Sequence, residues 1–240
     1  KLISILILLT TLILTGCFES KEEIEPIVIN GKTMGTTYTI KTFPIDESLT
    51  AESLQADVDK VLIAVNESMS PWVKNSEINK FNALSADTFM PISADFYAVV
   101  AESIRLGQST KTLDVTMGPL IDLWGFGPDK RPTKTPSDVQ LEDMKTRIGV
   151  DKLILNEQGL AKSIEGLELS FSATAKGFGI DKVAELLEAK GMTSYMVEIG
   201  GELRIAGTKA QAQPWRIAIE QPDAPLGQRQ VHRIIEPGNN

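Results

Sequence analysis

Apolar side chains recur with a helical period at three places along the chain. Over residues 51–66, Leu54, Val58, Val61, Leu62 and Val65 fall on one face at a spacing near 3.6, which predicts an amphipathic helix. Residues 94–106 repeat the pattern with Phe96, Val99, Val100 and Ile104, and Gly107 is placed to end that helix. Residues 176–190 do the same with Ile180, Val183, Ala184 and Leu187 turned inward and Gly191 at the C-terminal cap. A shorter helix led by Ser137 is predicted over 136–148. Elsewhere the pattern is that of strands. Residues 27–29 and 36–42 alternate or are rich in β-branched side chains around a turn at 31–35. Further strands are predicted at 153–155, 195–199, 203–206, 215–219 and 231–235. Helices early and antiparallel-looking strands late predict an α+β fold of mixed or antiparallel sheets with packed helices rather than a doubly wound sheet. There is no internal repeat, and no linker long or polar enough to separate two units. One domain over residues 26–240 is expected, and that length is ample for a core.

The first 25 residues depart from this pattern. After Lys1, residues 2–14 carry no charge, a run too short for a stable transmembrane helix but suited to the apolar region of a signal peptide. It ends in Leu14-Thr15-Gly16-Cys17, where a small residue precedes the only cysteine, and that arrangement resembles the bacterial lipoprotein processing box. A signal peptide over 1–16, a lipidated tether over 17–25 and Cys17 as the lipid-bearing first residue are therefore expected. A plain cleaved signal with an incidental cysteine is the other reading. The expected location is the bacterial cell envelope, lipid-anchored to a membrane and facing the periplasm. A single cysteine excludes internal disulfides, a thiol relay and a Cys-based zinc site. A net charge of −8 with no cluster of five or more Lys and Arg excludes a binder of phosphate backbones, so nucleic acid is not an expected partner.

Four glycine-rich segments carry the candidate chemistry: 32–38 (KTMGTTY), 111–128 (KTLDVTMGPLIDLWGFGP), 171–181 (FSATAKGFGID) and 198–207 (EIGGELRIAG). The second places one acid, Asp114, inside a hydrophobic strand-like run and follows it with three glycines, two prolines and a Trp–Gly–Phe triplet. Glycines at strand ends let a backbone approach a large ligand, and phosphates favour exposed backbone N–H groups. A bulge or tight turn is the alternative for any one of these segments. In the third, the small residues 172–175 lead into Lys176 as a helix begins, placing amides and one ammonium beside a prospective anion. Neither GxxxxGK[ST] nor a GxGxxG after a strand is present, which removes the P-loop and Rossmann readings.

Taken together with SPWVKNSEINKFN (70–82) and PWRIAIEQP (214–222), these segments resemble the FAD:protein FMN transferases, the ApbE family of flavin transferases. The resemblance runs from about Gly31 to the last residue, with six motifs in order. It implies transfer of FMN from FAD to a Thr or Ser hydroxyl of a partner protein with release of AMP and a dependence on Mg²⁺. The implied acceptors are membrane redox-complex subunits. By position, Met34, Trp72, Thr112, Leu113, Asp114, Ser170 and Lys176 match residues that contact FAD, and Ala173 matches one whose backbone carbonyl helps hold the metal. Trp72 stands where the family often has Tyr, and Ser170 where many members carry Asp. Read from the residues alone, Trp72 is also a candidate core residue and Asp114 a candidate turn acid, while Trp124 and Phe126 are expected to pack. Glu67, Glu77 and Glu202 have no defensible catalytic geometry, and His232 reads as a strand residue. The family's metal carboxylates and His-bearing stretch are expected beyond Asn240. Two rivals follow from the same residues: hydrolysis of FAD to FMN and AMP, and flavin or solute binding without turnover.

Overall fold

The structure is a computed structural model that describes residues 25–44, 49–128, 132–225, 228 and 230–237. Cys17, the expected signal peptide and nearly all of the expected tether lie outside the described residues. In chain order the elements are β1 (Ile27–Thr33), β2 (Thr36–Thr42), α1 (Ala51–Met69), α2 (Glu77–Asn82), α3 (Ala94–Thr110), α4 (Gly118–Leu123), α5 (Asp138–Thr146), β3 (Leu153–Asn156), β4 (Gly159–Lys162), α6 (Ala175–Ala189), β5 (Tyr195–Ile199), β6 (Glu202–Ala206), β7 (Ile217–Glu220) and β8 (Val231–Ile235). This is the expected α+β architecture. One antiparallel sheet has the order β1-β2-β5-β6, and β3-β4 and β7-β8 form two-stranded antiparallel sheets.

Helices α1 and α6 pack against each other and against the four-stranded sheet. Alternation along β2 turns Tyr38, Ile40 and Thr42 inward, and Tyr38 and Ile40 join Leu54, Val58 and Leu62 of α1 and Ile180, Val183 and Leu187 of α6 in one core. At about 25 cal/mol per Å² of apolar surface removed from water, these faces dominate what holds the two layers together. The Tyr38 hydroxyl donates to Asp59 (2.7 Å) and accepts from Gln55 (2.6 Å), and burial together with that carboxylate pushes its pKa up. Its ring lies across Gly31, its cross-strand partner, where an added Cβ would come within 2.4 Å of the ring. A second core gathers Val65 and Met69 from the end of α1, Ile78 and Phe81 from α2, Phe96 and Val100 from α3, and Leu160, Leu167 and Phe171. Met34 packs against both cores.

The long helices follow the sequence pattern because their starts are signalled. Thr50, Ser76, Ser93 and Ser137 each sit one residue before a helix and accept a hydrogen bond from the amide three residues on, and Ser137 with Gln140 makes a full capping box. Three expectations are corrected. Gly107 does not end α3: it is buried inside the last turn, where a Cβ would sit 2.8 Å from the Leu113 carbonyl oxygen, and the helix runs on to a left-handed Lys111 (φ 56°). The strand-like run around Asp114 is no strand; it makes turns and one isolated bridge, Met117 to Glu168, before α4 starts at Gly118-Pro119. The strand expected to begin at Trp215 begins at Ile217, because the Trp215 indole is buried and donates to the Ala206 carbonyl (3.0 Å) instead.

Candidate functional site

Two hairpin turns and the start of one helix meet at one end of the sheet. Between β1 and β2 the turn is Met34-Gly35, with φ of 50° and 73°, the doubly left-handed form that suits the twist of a two-residue hairpin. Glycine takes that conformation freely, whereas for methionine it costs about 1–2 kcal/mol. Strain of that kind at a bulky side chain marks a place where the side chain's direction matters. Met34 reaches to Gly179 of α6, where a Cβ would be 2.7 Å from its Cε. Between β5 and β6 the turn is Gly200-Gly201, also doubly left-handed, and a Cβ on Gly200 would lie 2.9 Å from the Thr36 Cγ2 and 3.5 Å from the Lys176 Cδ. Both turns therefore lie against the first two turns of α6.

That first turn is prepared for an anion. Residues 172–175 fold tightly because the Phe171 carbonyl accepts from the amides of both Thr174 (2.9 Å) and Ala175 (2.8 Å). Thr174, the capping residue of α6, offers its amides no side-chain oxygen, and no acid stands in the first turn. Amides left this way at a helix start carry partial positive charge. Lys176 adds a full charge, held by Glu202 of β6 at 2.8 Å.

A cleft of about 470 Å³ opens beside this turn, walled by Met34, Val65, Met69, Trp72, Phe171 and Lys176 among others. Among the described residues, Lys176 is its one charged lining residue. Apolar walls with a single cation at one side suit an aromatic ring joined to an anion. A second cleft of about 330 Å³ lies across Trp72 and shares Pro71, Trp72 and Ser172 with the first. Its other walls come from α2 (Asn79, Asn82), from α4 and the loop after it (Asp122, Phe126), and from Glu168 to Ser170. Among the described residues, its charged lining residues are the acids Asp122 and Glu168.

Met34, Trp72 and Lys176 are thus brought to the first cleft, and Trp72 and Ser170 to the second. Ala173 lies exposed in the tight turn before α6. Trp72 is 62% exposed, so it is not a core residue. Thr112, Leu113 and Asp114 line neither cleft. Thr112 shares a hydrogen bond with Thr110 (2.7 Å), and Leu113 offers its carbonyl to the Gly107 contact. Asp114 is a turn acid, accepting from the Thr116 amide (2.8 Å) and hydroxyl. Thr116 in turn accepts from the Gly149 amide (2.7 Å), and the adjacent Val115 carbonyl accepts from the Ser170 amide (2.7 Å), so Asp114 fixes the strip that carries Ser170. Trp124 and Phe126, expected to pack, are 45% and 66% exposed. Glu77 is structural, taking hydrogen bonds from the Ser68 hydroxyl and from the amide and hydroxyl of Ser93. His232 is, as expected, a strand residue, in β8.

Two residues that were not singled out from the sequence hold the clefts in shape. Asn79 donates to the carbonyls of Pro71 (2.8 Å) and Val73 (2.9 Å), gripping the loop on either side of Trp72. Asn82 pairs with the Leu169 backbone as a neighbouring strand would, donating to its carbonyl (3.0 Å) and accepting from its amide (2.8 Å). Their spacing of three on one short helix was the available signal. For a metal the described residues offer little: among them no three His, Cys, Asp or Glu gather at one point. The Ala173 carbonyl alone is no donor set for Mg²⁺, which takes carboxylates together with phosphate oxygens and waters.

Comparisons with known proteins bear on the fold and the family. The sequence model described as the ApbE family matches residues 34–240. A FAD:protein FMN transferase from Haemophilus influenzae is 43% identical over 244 residues, covering 98% of this chain and 69% of the relative. One from Vibrio cholerae serotype O1 is 41% identical over 233 residues, covering 97% of this chain and 68% of the relative. The solved structure of the flavin transferase ApbE from Vibrio cholerae superposes with a TM-score of 0.82 at 41% identity, covering 90% of this chain and 69% of that one.

Proposed function

The chain belongs to the ApbE family, and on that footing we propose that it transfers FMN from FAD to a Thr or Ser hydroxyl of a partner protein, with release of AMP. The observation that carries the reading is the first cleft, apolar on its walls and bearing one cation where an uncapped helix begins. Met34 and Trp72 give a flavin or adenine ring its apolar contacts, and an aromatic plane at Trp72 suits stacking. Lys176 and the positive end of the α6 dipole face the pyrophosphate. Ser170 supplies a hydroxyl, and the FAD contact carried over for Thr112, Leu113 and Asp114 acts through the strip that Asp114 fixes.

In the reaction the acceptor oxygen forms a bond to the FMN phosphorus as the bond from that phosphorus to the bridging oxygen breaks. AMP leaves with the bridging oxygen, and the acceptor's hydroxyl proton passes to solvent. Holding the phosphorus in line with the hydroxyl supplies much of the acceleration. A dependence on Mg²⁺ belongs to the proposal: Ala173's carbonyl would be one ligand, and the ion, held with acidic ligands outside the described residues, would offset charge at the pyrophosphate.

Incubating the protein with FAD, Mg²⁺ and the purified soluble domain of a membrane redox-complex subunit tests the reading. Flavin fluorescence that stays with that domain through denaturing electrophoresis, matched by AMP, is the expected result. Free FMN and AMP without protein label would make it a hydrolase, and bound FAD without either product would make it a binder.

The proposal extends to the envelope. Among the described residues no helix is long and apolar enough to cross a membrane, and anchoring is assigned to lipid on Cys17. Stable attachment requires more than one acyl chain, because a single chain binds reversibly. Cys17→Ser is expected to move the protein from the membrane to the soluble fraction of its host; unchanged fractionation would refute the anchor.

A further inference from the structure

We propose that Gly179, one turn into α6, sets the width of the first cleft: by leaving room for the terminal methyl of Met34, it holds that side chain off the bound ring. The inference rests on the FAD reading of the first cleft. It adds a positioning residue that does not line the cleft and acts through Met34.

Nothing in the backbone requires glycine at this position. Gly179 is buried inside α6 and has no left-handed φ. A helix interior favours alanine over glycine, so the position gives up helix stability. What it gains is space. A Cβ there would lie 2.7 Å from the Met34 Cε, 3.8 Å from its Sδ and 3.7 Å from the Leu62 Cδ2. Only the first of these is closer than ordinary van der Waals contact. Gly177, two residues earlier, shows the contrast: outside its own helix, a Cβ there would meet nothing nearer than the Glu202 carboxylate at 3.6 Å.

Met34 has one direction in which to yield. Its backbone is fixed, because the hairpin pairs Thr33 with Thr36 and the Thr33 hydroxyl accepts from the Asn66 side chain (3.0 Å). Residues of both cores pack around its side chain, and interiors at native density leave no void beside it. The open side is the first cleft, which Met34 lines. A methyl added at Gly179 therefore swings the thioether into the space where the ring sits. Methionine's unbranched, flexible stem lets the side chain shift while the helix stays in place. The ligand feels the change and the fold does not.

The test compares four forms of the intact protein with FAD as the probe: the unchanged chain, Gly179→Ala, Met34→Ala and both together. One methylene more or fewer in an apolar pocket changes binding by about 10- to 200-fold. A side chain that can partly fold back places Gly179→Ala near the lower end, a rise in the Kd for FAD of roughly tenfold. With Met34→Ala present, the same change at Gly179 should leave the Kd within about twofold. Thermal midpoints separate this from damage to the fold: Gly179→Ala should hold or raise the midpoint, because alanine favours the helix. An unchanged Kd in Gly179→Ala, or a loss of equal size with and without Met34→Ala, would overturn the proposal. So would a fall in midpoint that persists with Met34→Ala present. Failure of the unchanged chain to bind FAD would instead overturn the FAD reading itself.

Discussion

Lys176→Ala is expected to weaken FAD binding about ten- to a hundredfold. A hydrogen bond to a charged group is worth roughly 1.5–3 kcal/mol, and each 1.4 kcal/mol is a factor of ten in affinity. Lys176 is a third exposed, so screening by solvent places the lone loss toward the lower end of that range. Glu202 pushes it back up. With the lysine gone, the Glu202 carboxylate that had been paired with it at 2.8 Å stands unneutralised near the incoming pyrophosphate. The same reasoning gives Glu202→Gln the opposite sign: it frees the ammonium and should tighten FAD several-fold. In the double variant the repulsion is absent, so the Lys176→Ala loss should be smaller there than in the unchanged protein. Titration of FAD by its fluorescence or by calorimetry at two salt concentrations reads all four corners. Unchanged affinity in Lys176→Ala would move the anion away from the start of α6.

The largest effect on stability is expected at Lys162. This side chain is 1% exposed, and its ammonium donates to the carbonyls of Asn82 (2.8 Å) and Leu167 (2.9 Å) and lies 5.6 Å from the centre of the Phe81 ring. Those two carbonyls belong to the end of α2 and to the strip leading to Ser170, so one lysine ties together two walls of the second cleft. Lys162→Ala removes the packing of its stem and leaves both carbonyls without a donor, a cost of about 3–5 kcal/mol. Lys162→Met keeps the volume and should cost less, roughly 1–3 kcal/mol for the unpaired oxygens.

The pH dependence has a defined sign. Burial holds the Lys162 pKa below its ordinary value, with the charges of Glu168 and Glu165 opposing the shift. The unfolded chain therefore keeps this proton to a higher pH than the folded one. Between the lowered value and about 10.4 the unfolded state binds more protons, and stability gains from this group as pH rises. Urea denaturation across that window should show the unchanged protein gaining on Lys162→Met; a constant difference would show that the lysine titrates normally.

Much of the fold was legible because its elements announce themselves locally. Thr50, Ser93 and Ser137 mark helix starts, and the inward faces of α1 and α6 match the side chains that are buried there. What was illegible depends on contacts distant in sequence. Gly107 looks like a terminator until the Leu113 carbonyl and Val150 come to lie against it. β4 reads Gly-Leu-Ala-Lys, with no alternation, since all four residues are buried and the lysine finds its partners 80 residues back and five ahead. The site shows the same division. The turn into Lys176 was visible as small residues before a helix, but the Glu202 pairing and the left-handed Met34 were not. Nor could the pattern of residues 111–128 reveal that Phe126 faces solvent, because an exposed aromatic has the same letter as a buried one.

The account's central claim is that the flavin moves together with its own phosphorus. FAD labelled in separate preparations at the flavin-side phosphorus and at the adenosine-side phosphorus, each incubated with the protein and the redox-subunit domain, tests it most directly. The account predicts that the flavin-side label is found on a Thr or Ser of the domain and the adenosine-side label entirely in AMP. Adenosine-side label on the domain, or flavin-side label released only as free FMN, would contradict it.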